Sequence, residues 1–256
     1  MTTLLVDIGN SRIKWARLAS DGRMSRQRAS SYADWSTQDF QRTLFARGKR
    51  VDRVVAVSVA PASIERAIAD AARGLHIPAP ELVRSARSLG GVTTRYAEPW
   101  RLGADRLVAA IGAYALSGAR ACCVVDVGTA TTLDLVDARG IHLGGAIVPG
   151  PELMVGSLLS DTHGIKRRAA GARRERRTLF ARNTRSAIES GADYAVAATI
   201  DRAVLEAREE LGSPPIVFLT GGAAARVAPL LRTRAVRTVP DLVLRGLAEL
   251  ASRPLR

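Results

Sequence analysis

Lysine is almost missing from this chain. Lys14, Lys49 and Lys166 are three of its 38 basic residues, so the formal charge of +14 is carried by arginine. Aromatic residues amount to 4%, which leaves small aliphatic side chains to build the core. Apart from one cluster the positive residues are scattered, and no aromatic stripe accompanies them. That distribution favours Arg-rich composition with an anionic ligand over a nucleic-acid surface. The two cysteines, Cys122 and Cys123, are adjacent. Neighbours in sequence cannot form an ordinary structural disulfide with each other, so they read as small core residues of a reducing compartment. Long apolar runs are absent too. Residues 107–119 are the longest nearly uncharged stretch and fall short of a bilayer. The apolar residues 4–6 are too few for a signal peptide and are interrupted by Asp7, so the cytoplasm is the expected compartment. His76, His142 and His163 are too dispersed for a metal cluster or a catalytic triad, and no Cys-His nucleophile pair stands out. Neither a Walker A pattern nor G-x-G-x-x-G occurs, which excludes phosphate loops of those two types.

What the chain does have is an acidic turn, present twice. Leu4-Leu5-Val6-Asp7-Ile8-Gly9-Asn10-Ser11-Arg12-Ile13-Lys14-Trp15-Ala16 reads as strand, tight turn and strand. Gly and Asn tolerate positive φ, the backbone that such turns often need. A carboxylate where a buried strand meets a turn is costly unless it meets a cation or several donors. Beside it, the N–H groups of Gly9, Asn10 and Ser11 can converge on an anion. Taken alone, the motif fits equally a hairpin whose Asp bonds its own turn. Cys123-Val124-Val125-Asp126-Val127-Gly128-Thr129-Ala130-Thr131-Thr132-Leu133-Asp134-Leu135 repeats the arrangement about one small domain later. Two such hairpins predict a duplicated fold that closes on phosphates from both sides. The 256 residues, 47% of them hydrophobic, are enough for one large or two modest folded domains.

Between the two hairpins the residues up to Ser31 are polar and turn-rich. Helical spacing follows over residues 34–48, a buried strand over 54–59, an amphipathic helix over 63–75 and a short strand at Leu82-Val83. This β-β-α-β-α-β order predicts a mixed sheet with helices on its faces. Gly- and Pro-punctuated residues 90–106 form a long connection into an apolar helix over 107–116. Asp105 sits at its start, either as an N-cap or as a carboxylate that accepts a proton at a cleft edge. After the second hairpin, Leu143 to Pro151 reads as a glycine-flanked strand and turn, and helical spacing resumes from Leu153. Lys166-Arg167-Arg168 and Arg173-Arg174-Glu175-Arg176-Arg177 lack apolar periodicity and predict an exposed loop, a solvated surface rather than a grip on a polyanion. Asn183-Thr184 opens a long helix to Leu211, with Thr184 as its cap or as a ligand contact. Residues 216–223 are strand, Gly-Gly turn and helix, a turn that would approach a base or ribose closely. A last strand near Val236 and Val239 and a last helix over 242–251 follow. Asp7, Asp105 and Asp126 at turn edges suit phosphoryl transfer, which needs donors on the phosphate, a cation and a base near the attacking oxygen.

The double acidic turn resembles the superfamily of actin, acetate kinase and the sugar kinases. More specifically, Asp7-Ile8-Gly9-Asn10, Gly103-Ala104-Asp105-Arg106 with Tyr96 ahead of it, residues 126–132, Gly144-Gly145-Ala146-Ile147-Val148-Pro149-Gly150, Asn183-Thr184, Thr220-Gly221-Gly222 and residues 240–247 occur in order. Together they resemble the type III pantothenate kinases, also called the Bvg accessory factor-like family, over almost the whole chain. The resemblance implies an α/β, duplicated ribonuclease H-like (actin-like ATPase) fold with two mixed sheets and flanking helices, in halves 1–117 and 118–256. It implies ATP-dependent phosphorylation of pantothenate to 4′-phosphopantothenate, the first step of coenzyme A synthesis, with Asp105 as general base. By the same resemblance Asp7, Ile8, Gly9, Asn10, Ser11, Arg12, Ile13 and Lys14 form the ATP loop, with Asp7 near Mg²⁺, and Thr129 contacts ATP. Tyr96, Gly103, Ala104, Asp105, Arg106 and Thr184 line the pantothenate site, and Asp126 holds a monovalent cation, K⁺ or NH₄⁺. A homodimer is implied, with Thr184 acting across subunits. Ser11-Arg12 stands where Thr-Asn is common, and the Arg-rich segment after Lys166 is long. The alternatives are another small-molecule kinase or polyphosphate hydrolase of the same fold, or a nucleic-acid-binding regulator.

Overall fold

The computed structural model describes residues 1–45, 50–171 and 178–252. Its elements in order are β1 (Thr2–Ile8), β2 (Arg12–Ala19), β3 (Arg28–Ser31), α1 (Thr37–Leu44), β4 (Arg53–Ser58), α2 (Ala62–Arg73) and β5 (Glu81–Val83). Then come β6 (Ser88–Leu89), β7 (Val92–Thr94), a 3-10 turn at Pro99–Arg101, α3 (Ala104–Ser117), β8 (Cys122–Val127), β9 (Ala130–Val136) and β10 (Ile141–Pro149). The remainder is α4 (Pro151–Asp161), α5 (His163–Ala169), α6 (Thr184–Leu211), β11 (Ile216–Thr220), α7 (Ala224–Val227), a 3-10 turn at Ala228–Leu230, β12 (Val236–Thr238) and α8 (Leu242–Ala251). The chain divides into two compact units. The first comprises residues 1–119, 139–143 and 241–256, the second residues 120–138 and 144–240.

In the first unit a five-stranded sheet runs β3-β2-β1-β4-β5. β1 is antiparallel to β2 and parallel to β4, so it is covered on both sides and buried from Thr3 onward. A strand in that position reads as a continuous apolar run. Leu4, Val6, Ile13, Trp15, Phe40, Leu44, Val54 and Ile68 share one core cluster. α1 starts at a capping box in which Ser36 and Asp39 each bond the other's backbone N–H. It is shorter than the helix predicted over 34–48: Trp35 precedes it and packs edge-on against Phe40, and residues 46–49 lie outside the described residues. α3 is apolar on almost every side, packs against α8, and ends at Gly118 in the left-handed conformation. Where α3 and α8 cross, a Cβ on Gly246 would stand 2.0 Å from the Val108 carbonyl oxygen, and one on Gly112 would stand 2.6 Å from that of Leu242. Only glycines allow the two backbones to come so close.

In the second unit β12 and β8 lie parallel to β11 on its two sides, and β9 is antiparallel to β8. Val125, Val127, Leu133, Val217 and Leu219 from this sheet share a core with Val196 and Ile200 of α6. α6 runs the full predicted span, capped by Asn183, whose side chain accepts from the Ser186 N–H at 2.9 Å.

Three expectations give way. The polar stretch before Ser31 contains β3, an edge strand paired with β2, where the Arg28 guanidinium also lies over the Trp15 ring at 5.4 Å. The connection over 90–106 contains β7, which pairs with β6 and with the start of β10. Lys166, Arg167 and Arg168 are exposed as predicted, but on α5 rather than in a loop. Arg173 to Arg177 of that cluster lie outside the described residues. No helix among the described residues is long and apolar enough to cross a membrane.

Candidate functional site

Strand pairing places the first acidic turn. Asp7 stands opposite Lys14 in the β1–β2 register, and Lys14 Nζ lies 3.2 Å from the Asp7 carboxylate, which is 5% exposed. The cation that a buried acid requires is thus supplied from its own hairpin. The Gly9 N–H donates to the Arg12 carbonyl at 3.0 Å and closes the turn. Neither Gly9 nor Asn10 adopts positive φ, contrary to the expectation from the turn sequence. Position 9 is tight: a Cβ there would stand 3.1 Å from the Arg12 oxygen, which would have to give by a few tenths of an ångström. Asn10, Ser11 and Arg12 are exposed, whereas Ile8 and Ile13 are buried in the core and can offer a ligand only their backbone.

Also in the first unit, α3 begins with the Gly-Ala-Asp-Arg block. The N-cap is Gly103, without a side-chain cap bond, so Asp105 is not the cap. It lies in the first turn, half-buried, where its carboxylate accepts from the Arg106 N–H at 2.8 Å and the helix dipole favours its charge. Arg106 is 7% exposed, and its guanidinium donates to the Tyr96 hydroxyl at 3.1 Å. Tyr96 is held from behind. Its N–H donates to Thr94 Oγ1 at 3.2 Å, Thr94 Oγ1 lies 3.1 Å from His142 Nδ1, and the His142 ring is 5.8 Å from the Tyr96 ring. Arg87, which nothing in the sequence marks, donates to the carbonyls of Thr94, Tyr96 and Ala97 at 2.9, 2.7 and 3.0 Å. The block therefore unites Tyr96, Asp105 and Arg106: a carboxylate at a helix start beside a buried guanidinium braced by a phenol. That combination can take a proton from a hydroxyl and bind an anionic group.

The second acidic turn belongs to the second unit. Asp126 is half-buried on β8, opposite Thr132 on β9 and level with Thr220 on β11. Gly221 (φ 98°) lies against it, where a Cβ would stand 2.5 Å from the Asp126 carboxylate oxygen. The Thr220-Gly221-Gly222 turn thus adjoins the acid, and its backbone conformation requires glycine. Thr129 is exposed, and its carbonyl accepts from the Gly150 N–H at 2.9 Å. Thr184 is the first residue of α6, half-buried, and is not the cap; Asn183 is. Among the described residues no cluster of three or more His, Cys, Asp or Glu could hold a metal unaided. A magnesium ion needs only one or two carboxylates when phosphates complete its shell; Asp7 offers one, here shared with Lys14. The single carboxylate of Asp126, walled by glycine backbone, suits an ion of low charge.

Comparison with known proteins completes the reading. The family model of type III pantothenate kinase matches residues 3–206. The chain is 35% identical to the type III pantothenate kinase of Acidovorax ebreus (strain TPSY), over 99% of this chain and 97% of that protein. It is 39% identical to that of Azoarcus sp. (strain BH72), over 97% and 90%. Among solved structures it resembles a Baf family protein of Campylobacter jejuni, described as a transcriptional activator, with a TM-score of 0.61 at 18% identity over 97% of both chains. It also resembles (R)-2-hydroxyglutaryl-CoA dehydratase component A of Acidaminococcus fermentans, with a TM-score of 0.55 at 13% identity over 98% of this chain and 96% of that one. These distant likenesses bear on the fold alone, a mixed α/β fold with two mixed sheets and flanking helices. Matched by the family model and by full-length relatives, the chain belongs to the type III pantothenate kinase family.

Proposed function

We propose that this chain transfers the terminal phosphate of ATP to the primary hydroxyl of pantothenate, with Asp105 as general base. The enzyme class follows from the family; the assignment of atoms to roles is our reading. The observation that carries it is the Tyr96–Asp105–Arg106 cluster, because it joins a proton acceptor to a braced cation within one helical turn. In the reaction the pantothenate hydroxyl gives its proton to Asp105 as its oxygen attacks the γ-phosphorus. The bond to the β–γ bridging oxygen breaks, ADP leaves, and Asp105 releases the proton to solvent. Such a transfer needs little covalent chemistry from the protein; position and charge do most of it. Arg106 binds the pantothenate carboxylate or the incoming phosphate, Tyr96, Gly103 and Ala104 complete the acceptor site, and Thr184 reaches it across subunits.

Asp7 through Lys14 receive the ATP phosphates, and Thr129 contacts the nucleotide. Asp7 would hold Mg²⁺, which neutralises phosphate charge when bound. Asp126 would hold K⁺ or NH₄⁺, which would supply a fixed positive charge. The halves 1–117 and 118–256 would be the two copies of the duplicated fold, with residues 139–143 and 241–256 of the later half packing in the first unit. A cytoplasmic homodimer would give the individually exposed apolar side chains Ile147, Leu153 and Leu158 on β10 and α4 a partner to cover them. Sedimentation of the pure protein tests the dimer. For the chemistry, pantothenate-dependent ADP release should fall by ~10²–10⁴ in kcat for Asp105→Asn with the melting temperature retained. A normal rate in that variant would remove the base assignment. Acetate, sugars and polyphosphate in the same assay separate this activity from others on the same fold.

A further inference from the structure

Tyr32 follows β3 and has no role in the reaction as described so far. Its ring belongs to the core of the first unit, 5% exposed and 6.4 Å from the ring of Phe40. Its hydroxyl reaches the first acidic turn, where it donates to the Gly9 carbonyl and has the Asn10 carbonyl 3.1 Å away as a second acceptor. One proton is shared between two consecutive carbonyls. Burial pushes the phenol up from its ordinary value, so it stays a donor at any working pH.

Peptide planarity gives this contact a consequence. In a trans peptide the C=O of one residue and the N–H of the next lie in one plane and point in opposite directions. No cis peptide bond occurs among the described residues. Drawing the Gly9 carbonyl toward the Tyr32 hydroxyl turns the Asn10 N–H away from it. Drawing the Asn10 carbonyl the same way turns the Ser11 N–H away too. Both groups then face the side of the turn opposite the tyrosine, where Asn10 and Ser11 are exposed. Successive N–H groups held in this manner form a concavity for an anion.

We propose that Tyr32 is a positioning residue for the phosphate chain of the donor nucleotide, its hydroxyl fixing two successive peptide planes so that the Asn10 and Ser11 N–H groups meet a phosphate. The inference rests on the assignment of the first turn to ATP. Donors fixed before the substrate arrives need no reorganisation on binding, which is where preorganised sites gain their strength. Tyr32 acts through the backbone and touches no substrate.

Tyr32→Phe removes the hydroxyl and keeps the ring. The KM for ATP should rise about tenfold, the effect of one lost hydrogen bond, while the KM for pantothenate stays at the wild-type value. Phe40→Leu loosens the same packing with the hydroxyl intact, and should lower the melting temperature without moving the KM for ATP. An unchanged KM for ATP in Tyr32→Phe, or an equal rise in Phe40→Leu, overturns the proposal. Gly9→Ala, which crowds the Arg12 carbonyl, separates this failure from that of the ATP site. If it raises the KM for ATP and Tyr32→Phe does not, the turn is the site and Tyr32 is not its brace. If neither variant does, the assignment of the turn falls and the proposal falls with it.

Discussion

Arg106 donates a hydrogen bond of 3.1 Å to the Tyr96 hydroxyl, and its guanidinium carbon lies 5.8 Å from the centre of that ring. The tyrosine thus braces a buried cation through its oxygen and through its π face. Tyr96→Phe keeps the face and loses the bond, and should raise the KM for pantothenate about three- to tenfold. Arg106→Lys should cost more, because an ammonium cannot reproduce the guanidinium's planar set of donors. Steady-state kinetics with ATP saturating checks both.

The acid of the second hairpin supports a different test. If Asp126 holds a monovalent cation, replacing K⁺ and NH₄⁺ by Na⁺ should lower the rate, and Asp126→Asn should erase the difference between the salts. Rates measured at constant ionic strength would show it. Equal wild-type activity in all three salts would count against the site.

Burial pushes the thiols of Cys122 and Cys123 up to about 12, so both are protonated at pH 8. The thiolate is the reactive form. Neither cysteine should react with a thiol reagent in the folded protein at that pH, and both should react once it is denatured. Mass spectrometry after brief labelling distinguishes the two states.

Arg53 grips Glu81 through two hydrogen bonds of 2.8 and 2.7 Å, and this holds the Glu81 carboxyl below its ordinary value. Arg84 does the same for Glu65. A carboxyl whose folded pKa is depressed adds stability above its unfolded pKa and loses it as the pH falls through the folded one. The melting temperature should therefore decline as the pH drops below about 4.5, the unfolded value for glutamate. Glu81→Gln should flatten part of that decline. Glu81 is partly exposed, so screening limits its share to on the order of 0.5 kcal/mol, or about 1–2 °C in Tm.

The hairpins around Asp7 and Asp126 were legible because alternation and apolar runs mark strands wherever a core must be covered. α6 and α8 were legible for the same reason. What escaped lacks a hydrophobic signature. Residues 28–31 form an edge strand through backbone bonds, and β6 and β7 are too short to show a period. Asn183 and Thr184 are both good caps, and only the backbone conformation at 183 decides between them. Asp105 marks the helix start correctly yet sits two residues past the cap. Arg87 and Tyr32 could not have been found from local pattern, since each acts on carbonyls that tertiary packing alone brings within reach.

Arg53 on β4 also donates to the carbonyl of Ala251 at the end of α8, at 2.8 Å. Together with the glycine crossing of α3 and α8, that bond closes the first unit with a helix that follows every residue of the second. During synthesis, the ribosome delivers the whole of the second unit before it delivers the piece that finishes the first. The earliest strands of the nascent protein must wait, their groove for α8 open to water and to chaperones, until the later ones already exist.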